Sequence, residues 1–161
     1  MKEREETSMD KAIENIISIM PLLSKSLKQF IKGKTTLSAG AVYVCAALNH
    51  HGKLSMSEIG AHVAAPKPHV TTLVDKLIED DLAERLNDPN DRRIIYIQLT
   101  DKGKAFFQSL KTDVHEEFRE KLRFLSTEEA DSLAASSQKV RDSLIAMLKS
   151  QYHGSTDRCS D

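Results

Sequence analysis

The sequence predicts a mainly α fold with one small β element, and three observations carry that expectation. Apolar residues recur at spacings of three and four along most of the chain. Two short strand-like runs, the second rich in β-branched and aromatic residues, flank the turn-forming stretch Asn-Asp-Pro-Asn-Asp at 87–91. Two short helical patterns, separated by a proline-framed break, lie directly before that hairpin. At 161 residues the chain is long enough for one domain with its own core.

The first element is a long amphipathic helix over Lys11–Ile31, with Ile13, Ile16, Ile17, Met20, Leu23, Leu27, Phe30 and Ile31 on its apolar stripe. Pro21 removes one backbone donor and is expected to kink or break it near residues 17–21. Ser38–His50 contains no Asp, Glu, Lys or Arg, the pattern of a helix buried on most sides. A short helix follows over Ser55–Val63, capped by Ser55 or Ser57 with Glu58 in its first turn. After the break Ala64–Pro68, a second helix over Pro68–Asp80 turns Val70, Leu73, Val74 and Leu77 inward. Leu82–Leu86 and Ile94–Leu99 then form a two-stranded hairpin, with Ile95, Ile97 and Leu99 on one face. Thr100 caps the next helix, striped with Phe106, Leu110, Val114, Phe118 and Leu122, and Ser126-Thr127-Glu128-Glu129 is a capping box for the last. Two short helices, a tight turn and a two-stranded ribbon make a winged helix-turn-helix.

Residues 38–103 form this winged unit, and 9–37 and 104–149 are long terminal helices within the same single domain, 1–161. The segment 151–161 is polar and is expected to be disordered. The terminal helices are more apolar than the winged unit needs. A second copy of the chain would cover them, and the alternative is that they pack on one another.

Asp91-x-Arg93, followed after five residues by Leu99-Thr100-x-x-Gly103, resembles the wing signature of the MarR family of bacterial and archaeal transcription regulators. SMSEIGAHV and VTTLVDKLIEDDLAER resemble that family's two helix-turn-helix helices, and the likeness runs from about Met9 to Lys149. One departure is Asp81, where the family usually has glycine. A residue just past a helix end favours the left-handed conformation, which Asp tolerates at some cost. The resemblance implies a homodimeric, sequence-specific reader of double-stranded DNA with a pseudo-palindromic operator, most often a ligand-responsive repressor. It would work in a prokaryotic cytoplasm, on the nucleoid when bound.

Charge alone argues against this. The chain has net charge −1, and residues 53–100 hold six cations against eight acids. DNA binding must therefore come from placement. Lys67, Pro68, His69, Thr71 and Thr72 open the second helix, whose start offers partial positive charge and free N–H groups, and they are assigned to the major groove. Lys76 is assigned to a phosphate, Arg92 to a phosphate and Arg93 to the minor groove, with Asp91 orienting Arg93 as the resemblance implies. The alternative for Asp91 and Arg93 is an ion pair that only stiffens the turn. An effector pocket is expected between Met20, Leu23 and Leu27, Tyr43 and Ala47, and Phe106 and Phe107, suited to a small lipophilic or aromatic molecule, unless these side chains simply pack the core.

Other chemistry finds little footing. His50, His51, His62, His69 and His115 show no His-x-x-x-His pair, and no Cys-x-x-Cys is present, so no metal site is expected. Cys45 sits in an uncharged run and reads as a buried, inert thiol, although a redox- or metal-responsive regulator of the same family stays open. No apolar run approaches the ~20 residues that span a bilayer. The charged N-terminus has no signal-type cleavage site and so no secretion is expected, and two cysteines without a framework fit a reducing cytoplasm. The six glycines form no phosphate-cradling loop and no nucleophile–base motif appears, so neither catalysis nor a cofactor is expected. A winged-helix protein-interaction module without DNA binding is the rival from another class.

Overall fold

The computed structural model describes residues 7–153 apart from 89, 90 and 92, with side chains to residue 148. Its elements run α1 (Ser8–Lys34), α2 (Ala39–His51), β1 (Lys53–Ser55), α3 (Met56–Val63), α4 (Lys67–Glu79), β2 (Ala83–Asn87), β3 (Ile95–Leu99), α5 (Asp101–Lys121) and α6 (Thr127–His153). The described residues fall into two compact units, one within 20–117 and one made of 7–19 with 118–153. The first unit is larger than the span 38–103 read from the sequence, because it also takes in the second half of α1 and most of α5.

The core lies within residues 20–117. Phe30 and Ile31 of α1, five residues of α2, Ile59 of α3, Val70, Leu73, Val74 and Leu77 of α4, Ile97 and Leu99 of β3 and Leu110 of α5 are all buried together. The α4 stripe is the one its spacing predicts. The charge-free α2 is buried at Ala41, Val42, Val44, Cys45 and Leu48, and Ser38 caps its start by accepting from the Ala41 N–H at 3.2 Å. At α3, Ser55 rather than Ser57 is the cap. Its N–H donates to Glu58 Oε2 at 2.7 Å and its Oγ accepts from the Glu58 N–H at 3.4 Å.

The sheet has three strands in the order β1-β3-β2, all antiparallel, where the sequence shows two. Leu54 pairs with Ile97, and Arg85 pairs with Ile97 from the other side. The three residues of β1 are too few to carry a period of their own, so only their partner reveals them as a strand. Ile97 and Leu99 are buried, but Ile95 is 42% exposed, because it pairs with Asn87 at the outer end of the hairpin, beyond the core.

Pro21 is expected to kink or break α1, and the helix is not broken, running from Ser8 to Lys34 with Pro21 inside it. Pro21 cannot donate to the carbonyl four residues back, yet Met20, Leu22 and Leu23 around it are all more than half exposed. An exposed carbonyl can bond water instead, which lowers the cost of a lost helix bond. α6 extends to His153, so 151–153 of the expected tail are helical; residues 154–161 lie outside the described residues. Among the described residues, no helix is long and apolar enough to cross a membrane.

In the unit built from the two termini, no described side chain of α6 is buried. Leu133, Ile145, Met147 and Leu148 are 43–53% exposed, Phe124 in the α5–α6 turn is 75% exposed, and Met9, Ile13 and Ile17 of α1 are 48–68% exposed. The capping box at Ser126 is formed, its N–H donating to Glu129 Oε2 at 2.8 Å.

Candidate nucleic-acid interface

Helix α4 is held at its far end and open at its near end. At the far end, the Asp81 N–H donates to the Ile78 carbonyl at 3.0 Å and the Leu82 N–H to the Leu77 carbonyl at 2.8 Å. Those bonds need a left-handed residue between them, and Asp81 adopts φ 58° in the place where glycine is usual. Leu77 and Leu82 are both buried, which completes the turn.

The first turn of α5 is fastened to the same turn. Thr100 Oγ1 donates to the Asp81 carbonyl at 2.7 Å and accepts from the Gly103 N–H at 3.0 Å, and the Thr100 N–H donates to the Leu82 carbonyl at 3.1 Å. Lys102 Nζ adds a bond to the Asp80 carbonyl at 2.8 Å. Gly103 lies so close that a Cβ there would stand 1.9 Å from the Leu82 carbonyl oxygen. The Leu-Thr-x-x-Gly part of the wing signature is thus the joint that sets helix against strand.

At the near end, Pro66 is the N-cap residue and no side chain caps the helix. The expected row of free N–H groups is short. Pro68 has none, and the His69 N–H donates to the Pro66 carbonyl at 2.9 Å, which leaves Lys67 as the open donor of the first turn. Lys67, Pro68, His69, Thr71 and Thr72 are all exposed, so α4 presents them on one outward surface. The Thr71 and Thr72 hydroxyls donate back to the Lys67 and Pro68 carbonyls at 3.1 and 3.2 Å, so towards a base they can offer only acceptor lone pairs and methyl groups. Lys76 is not free for a phosphate as it stands. Its Nζ lies 3.2 Å from Glu79 Oε2 and 2.9 Å from Asp80 Oδ1, and these carboxylates raise its pKa. Asp75, also exposed on α4, is bound at 2.6 Å by Arg85 of β2, a cross-link between helix and wing.

On the wing, Arg93 Nε donates to Asp91 Oδ1 at 3.0 Å and Nη2 to Asp91 Oδ2 at 2.9 Å, while the Arg93 N–H also donates to Oδ1 at 3.0 Å. These bonds from Arg93 hold the Asp91 carboxyl below the ordinary carboxylate range. The Arg93 side chain is 90% exposed, and Nη1 and one Nη2 hydrogen point away from the pair. The carboxylate therefore aims the guanidinium without using it up. Arg92 lies outside the described residues. Lys67 and Arg93, far apart in sequence, line one open cleft of about 590 Å³, with Ser55, Ser57, Glu58 and Tyr96 on its walls.

The expected effector pocket is only partly formed by the residues assigned to it. An apolar cleft of about 210 Å³ is lined by Leu27, Tyr43 and Phe107, together with Ile31, Val42 and Leu110, and has Lys111 and His115 at its edge. Met20 and Leu23 are 61% and 53% exposed and do not line it, because α1 meets the cleft only from Leu27 and Ile31 onward, at least one turn later. Ala47 and Phe106 instead pack against the core.

His50, His51 and His62, which sequence spacing does not join, are in ring contact, with centroids 4.6 Å apart for His50 and His51 and 4.4 Å for His51 and His62. Among the described residues no group of His, Cys, Asp and Glu is arranged to hold a metal. Burial pushes the Cys45 thiol up to about 12, so it stays protonated, while Cys159 lies outside the described residues.

A model of the MarR family matches residues 40–95. The uncharacterised HTH-type transcriptional regulator YfiV of Bacillus subtilis is 31% identical over 100 residues, a segment covering 62% of this chain and 62% of YfiV. The HTH-type transcriptional repressor MdtR of Bacillus subtilis is 29% identical over 125 residues, covering 76% of this chain and 81% of MdtR. Among solved structures, wild-type MarR of Escherichia coli without ligand superposes with a TM-score of 0.71 at 20% identity, over 79% of this chain and 93% of that one, which supports the fold.

Proposed function

The chain belongs to the MarR family of winged-helix regulators, and from that premise we propose that it is a sequence-specific reader of double-stranded DNA that represses transcription as a homodimer. The observation that carries this reading is the shared cleft. Lys67 at the open end of α4 and the aimed, exposed guanidinium of Arg93 line it from two elements. A guanidinium so placed suits a narrow minor groove beside the major groove that α4 would enter. Lys67, His69 and Thr72 then face the major groove, with His69 and Thr72 as the base readers, and Arg92 binds phosphate. The bare apolar side chains of α6, the α5–α6 turn and the start of α1 support a second copy as their cover. Twofold symmetry sets two recognition helices about 34 Å apart on a pseudo-palindromic operator. The cleft by Tyr43 and Phe107 is smaller than the usual site of a drug-sized ligand and suits a single-ring aromatic or lipophilic effector. Such an effector releases DNA only as far as it prefers the DNA-incompetent state. The cytoplasm is the place of action.

A protein-docking module is the second reading, favoured by the excess of acids over cations between residues 53 and 100. One experiment separates the two. Purified chain is used to select duplexes from a random pool, and the recovered sequences are read while light scattering measures mass at micromolar concentration. Enrichment of a pseudo-palindrome by a dimer supports the proposal. A pool that stays random defeats the DNA reading, and a monomer that still selects one half-site defeats the dimer.

A further inference from the structure

The winged unit has few unspent cations for DNA. Lys76 is tied to Glu79 and Asp80, and Arg85 to Asp75. A partner as anionic as duplex DNA must be met by positive charge elsewhere on the same face.

The chain supplies such a region. Between Glu14 and Glu58 it has no acidic residue, and it has five lysines. Four of them, Lys25, Lys28, Lys32 and Lys34, are exposed on α1. Lys34 is turned towards α5, 3.8 Å from Asp113. Lys28 and Lys32 are one helical turn apart and line an open cleft of about 620 Å³ with the hydroxyl residues Thr35, Thr36 and Ser38. Neither lysine has an acidic partner among the described residues. The far wall of this cleft is the start of α2, and the next residue, Gly40, packs on α4. A Cβ at Gly40 would lie 3.1 Å from the Leu73 side chain and 3.8 Å from His69 Nε2. The lysine cleft and the open end of the recognition helix therefore flank the same few residues of α2.

We propose that the α1–α2 corner is a second backbone grip, in which Lys28 and Lys32, with the Thr35 and Thr36 hydroxyls, hold the DNA sugar-phosphate strand beside the groove entered by α4. This grip rests on the chain being a DNA reader. Two ammonium groups on flexible stems around an open trough suit phosphates, which need charge rather than fixed geometry. They carry no sequence information, so the corner adds affinity and register without changing which operator is chosen.

The test compares wild type, Lys28→Ala/Lys32→Ala, Lys28→Arg/Lys32→Arg and Arg93→Ala on two probes, a duplex recovered by selection with the wild-type chain and a scrambled duplex of equal length. Affinity is measured across salt concentration. The double alanine variant is expected to keep the wild-type melting temperature and to weaken both duplexes by the same factor. Its log–log salt slope should become shallower by about 0.9 for each phosphate that it no longer neutralises. The arginine variant should retain the wild-type slope. If wild type binds and Arg93→Ala weakens it, but the double alanine slope matches wild type, the corner is not a grip and the DNA reading stands alone. A loss confined to the selected duplex at unchanged slope also overturns the grip. Wild type that binds neither probe overturns both.

Discussion

The two ends of α4 are built on opposite plans. At its C-terminal end bonds converge on the turn: the Asp81 and Leu82 N–H groups reach the Ile78 and Leu77 carbonyls, Thr100 donates and accepts, Lys76 is paired, and Gly103 sits against backbone. At its N-terminal end Lys67, Pro68 and His69 are exposed and no side chain caps the helix. Under the proposed function, a helix that must be aimed needs one end fixed, and one that exchanges water for DNA needs the other left unsatisfied. The wing repeats the plan on a smaller scale, since Asp91 fixes one edge of the Arg93 guanidinium and leaves the other free.

The sharpest way to break this contrast is at Gly103. Gly103→Ala drives a methyl into the Leu82 carbonyl, which is backbone and cannot step aside. A loss of about 3 kcal/mol or more is expected, read by urea unfolding. A variant of wild-type stability would show that the joint is loose. Next in size is Arg93→Ala at the free edge of the wing. An exposed ion pair stabilises little, so the melting temperature should hold. Affinity for the selected duplex should fall roughly 10–100-fold, in line with about 1–3 kcal/mol for a well-made contact. Equal affinities would reduce Asp91 and Arg93 to a turn brace.

Asp81→Gly probes the fixed end from the other direction. Removing the left-handed strain should stabilise the chain by about 0.5–1 kcal/mol, visible as a raised urea midpoint, and leave DNA affinity unchanged. A destabilised variant would mean that the exposed Asp81–Lys102 pair, at 3.6 Å, outweighs the strain.

The smallest effect concerns pH. Desolvation, then the charges of His62 and His50, lower the His51 pKa from 6.5, with Glu58 opposing. The unfolded chain then takes up the proton first, so this group costs nothing at neutral pH and stability falls as pH drops through the ordinary histidine value. Melting between pH 8 and pH 5 should show this slope, reduced in His62→Gln. Identical slopes would detach the histidine contact from stability.

Much of this was legible without coordinates. The α4 stripe, the Ser126 capping box and the hairpin over 83–99 follow from spacing and turn chemistry within a few residues, and the left-handed Asp81 from the family resemblance. The errors have a common source. The strand β1, the contact of His51 with His62, and the true walls of the apolar cleft all depend on residues that meet only after packing. An apolar stripe is also ambiguous about its partner. Phe30 and Ile31 are core, while Ile13, Ile17, Met20 and Leu23 on the same predicted stripe are exposed.

What the sequence by itself determined is therefore local: which segments are helices, where they start and stop, and which side chains could carry charge to a wing or a helix end. Periodicity, caps and turn residues act over one or two turns, and the backbone answers to them before any tertiary contact forms. Only the tertiary structure decided that Lys67 and Arg93 face one cleft and that Gly103 must be glycine. It also decided that Lys76 is already held by its acids, and that Lys28 and Lys32 share one cleft with the start of α2. Those are relations between segments distant in the chain, set by how closely packed surfaces exclude water and each other, and no window of sequence contains both sides of them.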